Sequence, residues 1–296
     1  MGPIYKQNFM GQSGFIWWVG VVENRKDPLN LGRCQVRIFG WHTENLQLIP
    51  TEDLPWVHPV VPINESDTSK TPLEGQYVMG FFFDGESGQF PAYFGVIPGI
   101  PNTKPFQGKG FSDMRTPSDL QNSPRPFGGT PSLYPNQLDE PTTSRLFRNE
   151  NIDKTIIQRE KDARVKSIPV SDGSTWSQPT PSYATVPPFN SVKETESGHV
   201  MEFDDTKDAE RIHLAHRTGT HIEMRPDGSK VTKVVKDNYE LIAGDDYVNI
   251  VGDCNITING NANLYVKGNH VEKVDGNYTL QVAGAVVVKG STINLN

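Results

Sequence analysis

Four histidines stand close together in the sequence: His199, His213, His216 and His221. Imidazole nitrogens are common ligands of transition metals, so His213 and His216 could begin a metal site. Strand alternation places some of the four side chains on opposite faces, however, and neither a cysteine nor a second closely spaced pair completes a tetrahedral set. We therefore expect ordinary surface or interface histidines, with no bound metal and no cofactor.

Carboxylates and cysteines are the other residue types that could carry out chemistry. Glycoside hydrolysis uses two carboxylates, but a chain with 35 acidic residues contains many pairs by chance. Cys34 and Cys254 are the two cysteines and lie in regions of different character, which favours a reducing site of synthesis over a disulfide framework. Cys34, within RCQVRI, is predicted to be a buried strand residue. Neither residue type predicts catalysis.

The charge balance argues against nucleic acid as a partner. The chain has a formal net charge of -7, and residues 1–100 contain six basic and ten acidic residues. Binding phosphate groups or an anionic membrane surface would require a basic patch. The longest apolar run near the start, residues 15–22, is far shorter than the roughly 20 residues of a membrane-spanning helix. We expect a soluble chain without an export signal.

Three segments of different composition make up most of the chain. Residues 1–105 contain short β-branched and aromatic runs separated by turn residues, a pattern typical of five or six strands in a small barrel. Residues 106–180 are rich in proline and predict an extended linker with at most one short helix, near residues 151–164. Residues 181–235 alternate polar and apolar side chains and predict a connecting β region. The predicted fold class is all-β.

Residues 236–296 carry an eight-residue repeat. Glycine recurs at every eighth position, usually followed by Asn or Asp, which predicts a corner with positive φ. An apolar residue stands two positions before each glycine, and another stands four positions after each except at Glu272. The predicted corner glycines are Gly244, Gly252, Gly260, Gly268, Gly276 and Gly284. The predicted core residues are Ile242, Val248, Ile250, Ile256, Ile258, Leu264, Val266, Val274, Leu280, Val282 and Val288.

Each octad offers only two apolar side chains to one face of a strand, which is too little to form a core alone. One chain winding on itself with about three octads per turn would make barely two turns. Three chains that each supply one wall would instead enclose an apolar interior in every layer. The repeat therefore favours a trimeric, triple-stranded β-helix over a single-chain solenoid.

These octads resemble the C-terminal triple-stranded β-helix of the central spike proteins of T4-like contractile-tailed phages, a family related to the VgrG spikes of type VI secretion. The stretches WWVGVVENRKDPLNLGRCQVRIFGWHTE and IPTEDLPWVHPVVPI are similar to the opening of the family's OB-fold domain. The stretch GFSDMR and the block SYATVPPFNSVKETESGHVMEFDDTKDAERIHLAHRTGTHIEMRPDGS also resemble segments of the family. The resemblance covers nearly the whole chain.

The family's lysozyme domain is missing from the predicted arrangement. Members like the T4 spike insert it between the OB fold and the β-helix, and it requires well over a hundred residues with a Glu, Asp and Thr triad. Residues 101–180 are too few and too rich in proline for such a domain. Glu44 with Asp53, and Glu196 with Asp205, have the first spacing of the triad but lack the threonine. The resemblance therefore implies a spike that is not itself an enzyme.

The resemblance implies a homotrimer in the tail baseplate of a virion, made in the host cytoplasm. The OB fold would attach to a trimeric hub protein, and the β-helix would pierce the host outer membrane. No iron-binding His-X-His motif occurs near Ile293, Leu295 and Asn296, so a PAAR-like tip protein is expected to contact these residues. The alternatives are a VgrG-like spike of another injection system, a cell-wall-degrading tail enzyme and a receptor-binding adhesin.

Overall fold

A closed five-stranded barrel forms the N-terminal part of the protein. The computed structural model describes residues 15–63, 71–99, 108–112, 114 and 143–294. The barrel strands are β1 (Trp17–Asn24), β2 (Cys34–Ile38), β3 (Trp56–Pro59), β4 (Tyr77–Phe82) and β5 (Pro91–Ile97). They close in the order β1-β2-β3-β5-β4, with β3 and β5 parallel and the other pairs antiparallel. The barrel predicted from the β-branched runs is confirmed. One-turn 3-10 helices lie at Thr51–Asp53 and Gly85–Ser87.

Alternate strand residues fill the barrel interior. The core contains Trp18, Val22, Val36, Val57, Val78 and Phe82, each at most 3% exposed. Cys34 belongs to the same cluster, as predicted, and burial raises the pKa of its thiol to about 12. A thiol in that state is not a nucleophile at neutral pH. Cys34 therefore contributes packing to the barrel.

A buried ion pair lies on the other face of β1 and β2 from this core, where loop residues cover it. Arg37 Nε donates to Glu23 Oε1 at 2.6 Å, and neither side chain is exposed to solvent. The guanidinium also donates to the carbonyl oxygens of Thr43 and Ile49 at 2.6 and 2.8 Å. The N–H of Phe111 donates to the same Glu23 carboxylate at 3.2 Å. The pair thus fixes the connection between β2 and β3 and the segment that follows the barrel.

Replacing Glu23 with glutamine is expected to destabilise the barrel by about 3–5 kcal/mol, because Arg37 would be left as an uncompensated buried charge. Urea unfolding of the full chain, followed by tryptophan fluorescence, would measure the change. Glu52→Gln is the matched control, since Glu52 is exposed. A loss below about 1 kcal/mol in Glu23→Gln would contradict this account of the pair.

The segment between residues 143 and 186 contains two helices and a short hairpin. Helix α1 (Arg145–Arg148) is capped by Ser144, whose side chain accepts from the N–H of Leu146. Helix α2 (Ile156–Asp162) follows a 3-10 turn at Ile152–Lys154. The predicted helix near residues 151–164 is confirmed. The prediction of at most one helix in this segment was wrong, because the single turn of α1 leaves no periodic pattern to detect. The hairpin pairs β6 (Ile168–Pro169) with β7 (Thr175–Trp176).

Five antiparallel strands form a second sheet after this segment. They are β8 (Asn190–Glu194), β9 (Val200–Asp204), β10 (Arg211–Ala215), β11 (His221–Met224) and β12 (Lys230–Lys233). The sheet is a simple meander, with strands adjacent in sequence adjacent in space. Leu146, Ile156 and Ile157 pack against its residues Val200 and Ala215. The two helices therefore cover one face of the sheet.

The octad region differs from both sheets. Residues 236–294 form no helix and no paired strand, and the backbone bends at each repeat glycine and at the residue before it. The prediction of positive φ at these glycines was wrong, since none of the six lies in the left-handed region. Because each bend is shared by two residues, an ordinary φ suffices at the glycine. No helix in the described part of the chain is long and apolar enough to span a membrane.

Candidate interaction site

The five-stranded sheet has an apolar face that is exposed and a polar face that is buried. Side chains alternate along β9, β10 and β11, and on each strand the more polar set is buried. The outward set is entirely apolar and between 40% and 51% exposed. We call it the apolar sheet face: Met201, Phe203, Ile212, Leu214, Ile222 and Met224.

Strand register aligns the apolar sheet face into two rows. Leu214 lies opposite Met201 on one side and Ile222 on the other, and Ile212 lies in the same way between Phe203 and Met224. At the sheet edges the rows end in polar residues, with Ser191 and Lys193 on β8 and Lys230 and Thr232 on β12. An apolar centre with a polar rim is the usual composition of a protein–protein interface.

The buried polar face centres on Arg211. Its guanidinium donates to Glu202, and both side chains are fully buried. Its Nη1 lies 3.7 Å from Glu223 Oε1. Burial raises the pKa of Glu202, and the neighbouring Arg211 opposes that rise. Ser182, in the segment before the sheet, donates to Glu223, and Asn190 of β8 donates to Glu202. The segment and the sheet therefore share one hydrogen-bond network.

The structure separates the histidines that the sequence grouped. His213 Nε2 lies 2.9 Å from Glu160 Oε1, and His221 Nδ1 lies 3.3 Å from the same oxygen. His216 instead lies at the surface, with its ring centroid 4.4 Å from that of His199. His213 and His216 therefore do not form a pair. Within the described residues, no group of three or more His, Cys, Asp or Glu side chains could hold a metal ion.

The predicted octad core residues are all exposed in the single chain. Their exposed fractions range from 43% at Val266 to 79% at Ile256. A Cβ added at any of the six repeat glycines would meet no other atom within 4 Å. Neither packing nor backbone conformation within one chain therefore requires glycine there. Ile293 is 52% exposed, and Leu295 and Asn296 lie outside the described residues.

Among the acidic residues considered for hydrolysis, the carboxylate of Glu196 has a structural partner. Glu196 Oε1 accepts from Arg25 at 2.6 Å, which links the barrel to the β8–β9 hairpin. Arg25 also contacts Glu74 at 3.1 Å. The backbone carbonyl of Glu44 accepts from the N–H of Gly110 at 2.8 Å. These contacts tie segments of the chain together.

Comparison with known proteins finds one matching family model and two similar phage proteins, all of which carry the name Gp5. A family model for the Gp5 N-terminal OB domain matches residues 41–166. The chain is 37% identical over 271 aligned residues to Protein Gp5 of Vibrio phage KVP40, covering 79% of this chain and 61% of that protein. It is 33% identical over 175 residues to the pre-baseplate central spike protein Gp5 of Enterobacteria phage T4, covering 54% of this chain and 29% of that protein.

The matches extend over most of this chain, whereas the chain spans less than two thirds of either relative. The matched family region includes β3, β4 and β5 of the closed barrel, so the sequence match and the observed topology agree. The chain is therefore similar to the Gp5 proteins of two phages, one of which is named a pre-baseplate central spike protein, and its residues 41–166 match the Gp5 N-terminal OB domain.

Proposed function

We propose that this protein is a structural component of a contractile phage tail baseplate, where it forms the homotrimeric central spike. One relative is named a pre-baseplate central spike protein, and the OB domain match supports the same assembly context. The corresponding location is the baseplate of the virion tail. The spike would attach to a trimeric hub protein through its barrel and pierce the host outer membrane with its octad region.

The proposal of a trimer rests on one observation: all eleven predicted octad core residues are exposed in a single chain. Burying such side chains is worth about 1.5–3 kcal/mol each, so an isolated chain forgoes a large stabilisation. Three extended walls can enclose these side chains on every side. The repeat glycines fit the same arrangement, because close approach of a neighbouring chain supplies a reason for glycine that the single chain lacks.

The apolar sheet face supports the trimer independently of the octads. Six apolar side chains in two cross-strand rows form a patch larger than isolated surface hydrophobics usually make. In a trimer, three such faces would pack against one another and remove the patch from water. The buried polar face would then remain on the outside of the sheets, covered by α1 and α2.

The proposed architecture suits a protein that transmits axial force. Strands from three chains that wrap one axis have no separate hairpin to peel away, so unfolding requires all three chains to separate. Such a rod is expected to unfold slowly. We propose that the chain catalyses no reaction itself, and that a PAAR-like protein contacts Ile293, Leu295 and Asn296.

Light scattering of the purified full-length protein tests the trimer. We expect a mass near 99 kDa, three times the 33.0 kDa of one chain. Negative-stain electron microscopy should show a rod attached to a wider head. A mass of 33.0 kDa at micromolar concentration would contradict the proposed spike.

A further inference from the structure

A cavity opens on the barrel where the loop between β4 and β5 meets the connection between β2 and β3. Its volume is about 350 Å³, which lies within the range of ligand-binding pockets. Leu48, Asp53 and Pro55 line it from the β2–β3 connection, and Gly88 and Gln89 line it from the β4–β5 loop. No residue of the apolar sheet face or of the octads lines the cavity, so it is separate from the contacts proposed for the trimer.

Two side chains bring hydrogen-bonding groups to this cavity that the described part of the chain does not use. The carboxylate of Asp53 makes no hydrogen bond or ion pair there, although its backbone N–H donates to the carbonyl of Pro50. Gln89 donates from Nε2 to the carbonyl of Ser87 at 3.1 Å, which leaves the amide oxygen Oε1 as an acceptor. Asp53 and Gln89 are both exposed, so a ligand can reach them.

The charges at the cavity argue against a ligand that carries phosphate groups. Asp53 is acidic, and no lysine or arginine is among the described residues that line the cavity. Burial, and then the neighbouring Arg37, lower the pKa of the His42 imidazole, which also lines the cavity and is therefore neutral at pH 7. Arg37 itself is fully buried against Glu23 and is not accessible to a ligand. The cavity thus suits a neutral ligand rather than nucleic acid.

An indole ring stands beside the same cavity. Trp41 packs on Phe82, with ring centroids 4.6 Å apart, and still has 43% of its surface exposed. Gly88 has a φ of +62°, and a Cβ at this position would lie 2.6 Å from Cζ3 of Trp41. The absence of a side chain at Gly88 therefore lets the indole lie directly against the β4–β5 loop, at the edge of the cavity.

We propose that this cavity binds a neutral oligosaccharide by holding one of its hexopyranose rings. The C–H face of such a ring is apolar and packs on an aromatic side chain, whereas its hydroxyl groups donate to carboxylate and amide oxygens. Trp41 provides the aromatic surface, and Asp53 and Gln89 provide the acceptors. This binding site is additional to the proposed role in the baseplate and does not depend on the trimer.

Saturation-transfer difference NMR of the full-length protein with tri-N-acetylchitotriose, cellotriose and maltotriose tests the site. We expect at least one of the three sugars to bind with a dissociation constant of about 1 mM or lower. Asp53→Ala removes a charged acceptor and Trp41→Ala removes the aromatic surface, so each should weaken that binding at least about tenfold. Asp53 is exposed, and its variant therefore remains informative if Trp41→Ala folds poorly.

Glu52→Ala and Trp176→Ala are the matched controls, because both residues are exposed and neither lines the cavity. Each control should bind the sugar as the wild type does. The proposal would be overturned if none of the three sugars bound at about 10 mM, ten times the expected dissociation constant. Unchanged binding in Asp53→Ala, or an equal loss in the controls, would also overturn it. Tighter binding of decathymidylate than of any sugar would do the same, since it would assign the cavity to nucleic acid.

Discussion

Replacing Val274 with aspartate is expected to prevent trimer formation. Val274 stands two positions before Gly276, in the column predicted to face the common interior, and is 47% exposed in the single chain. In a trimer the substitution would place three carboxylates at one level of an apolar interior, where each lacks a partner. It would also forfeit at least about 1.5 kcal/mol of burial per chain. Light scattering should detect a shift from about 99 kDa toward 33.0 kDa.

Val271→Asp is the matched control for this experiment. Val271 lies three residues before Val274 and therefore points to the opposite side of an extended chain. It is 85% exposed in the single chain and is expected to stay exposed in the trimer. The same chemical change should therefore leave the mass near 99 kDa. If both variants or neither variant dissociated, the assignment of inward and outward columns would be wrong.

The barrel was predictable because its sequence signals are local. Short β-branched runs separated by turn residues define strands such as β1 and β2, and their alternation places Val22 and Val36 inside. Cys34, the cysteine of the barrel, follows the same alternation, since its side chain belongs to the barrel core. Local alternation does not predict ion pairs such as Glu23–Arg37, because their partners lie on different strands.

The five-stranded sheet shows where sequence reasoning fails. A strand with alternating residues is normally assumed to bury its apolar side, which would have placed Met201 and Phe203 in the core. Within one chain the reverse is found, with Glu202 and Asp204 buried instead. The reason is that this face has polar partners: Ser182 and Asn190 donate to Glu223 and Glu202. Glu160 of α2 contacts His213 on the same face. The sequence carries the alternation, but the choice of face depends on what covers the sheet.

The burial of the octad residues likewise depends on what packs against them. Their period indicates an apolar column, yet a single chain offers nothing to bury it against. The bends at Gly244 and its five equivalents were predictable from the glycine period, whereas the backbone angles were not. Where the burial of a residue depends on another copy of the chain, the sequence predicts the apolar column but not the partner that covers it.

Replacing Leu214 with glutamate is expected to destabilise the trimer through the apolar sheet face. Leu214 is the middle residue of the row formed with Met201 and Ile222, and it is 51% exposed in one chain. A buried charge in three copies should lower the thermal unfolding temperature of the trimer and promote dissociation on dilution.

The matched control is Leu29→Glu, in a barrel loop, where the leucine is 61% exposed. It should leave both the unfolding temperature and the mass close to those of the wild type, because its side chain is expected to stay in water in either state. If the apolar sheet face instead remained in contact with solvent in the assembled protein, Leu214→Glu would behave like Leu29→Glu. In that case the trimer would depend on the octads alone. The two substitutions therefore decide whether the sheet belongs to the trimer interface, independently of the result for Val274.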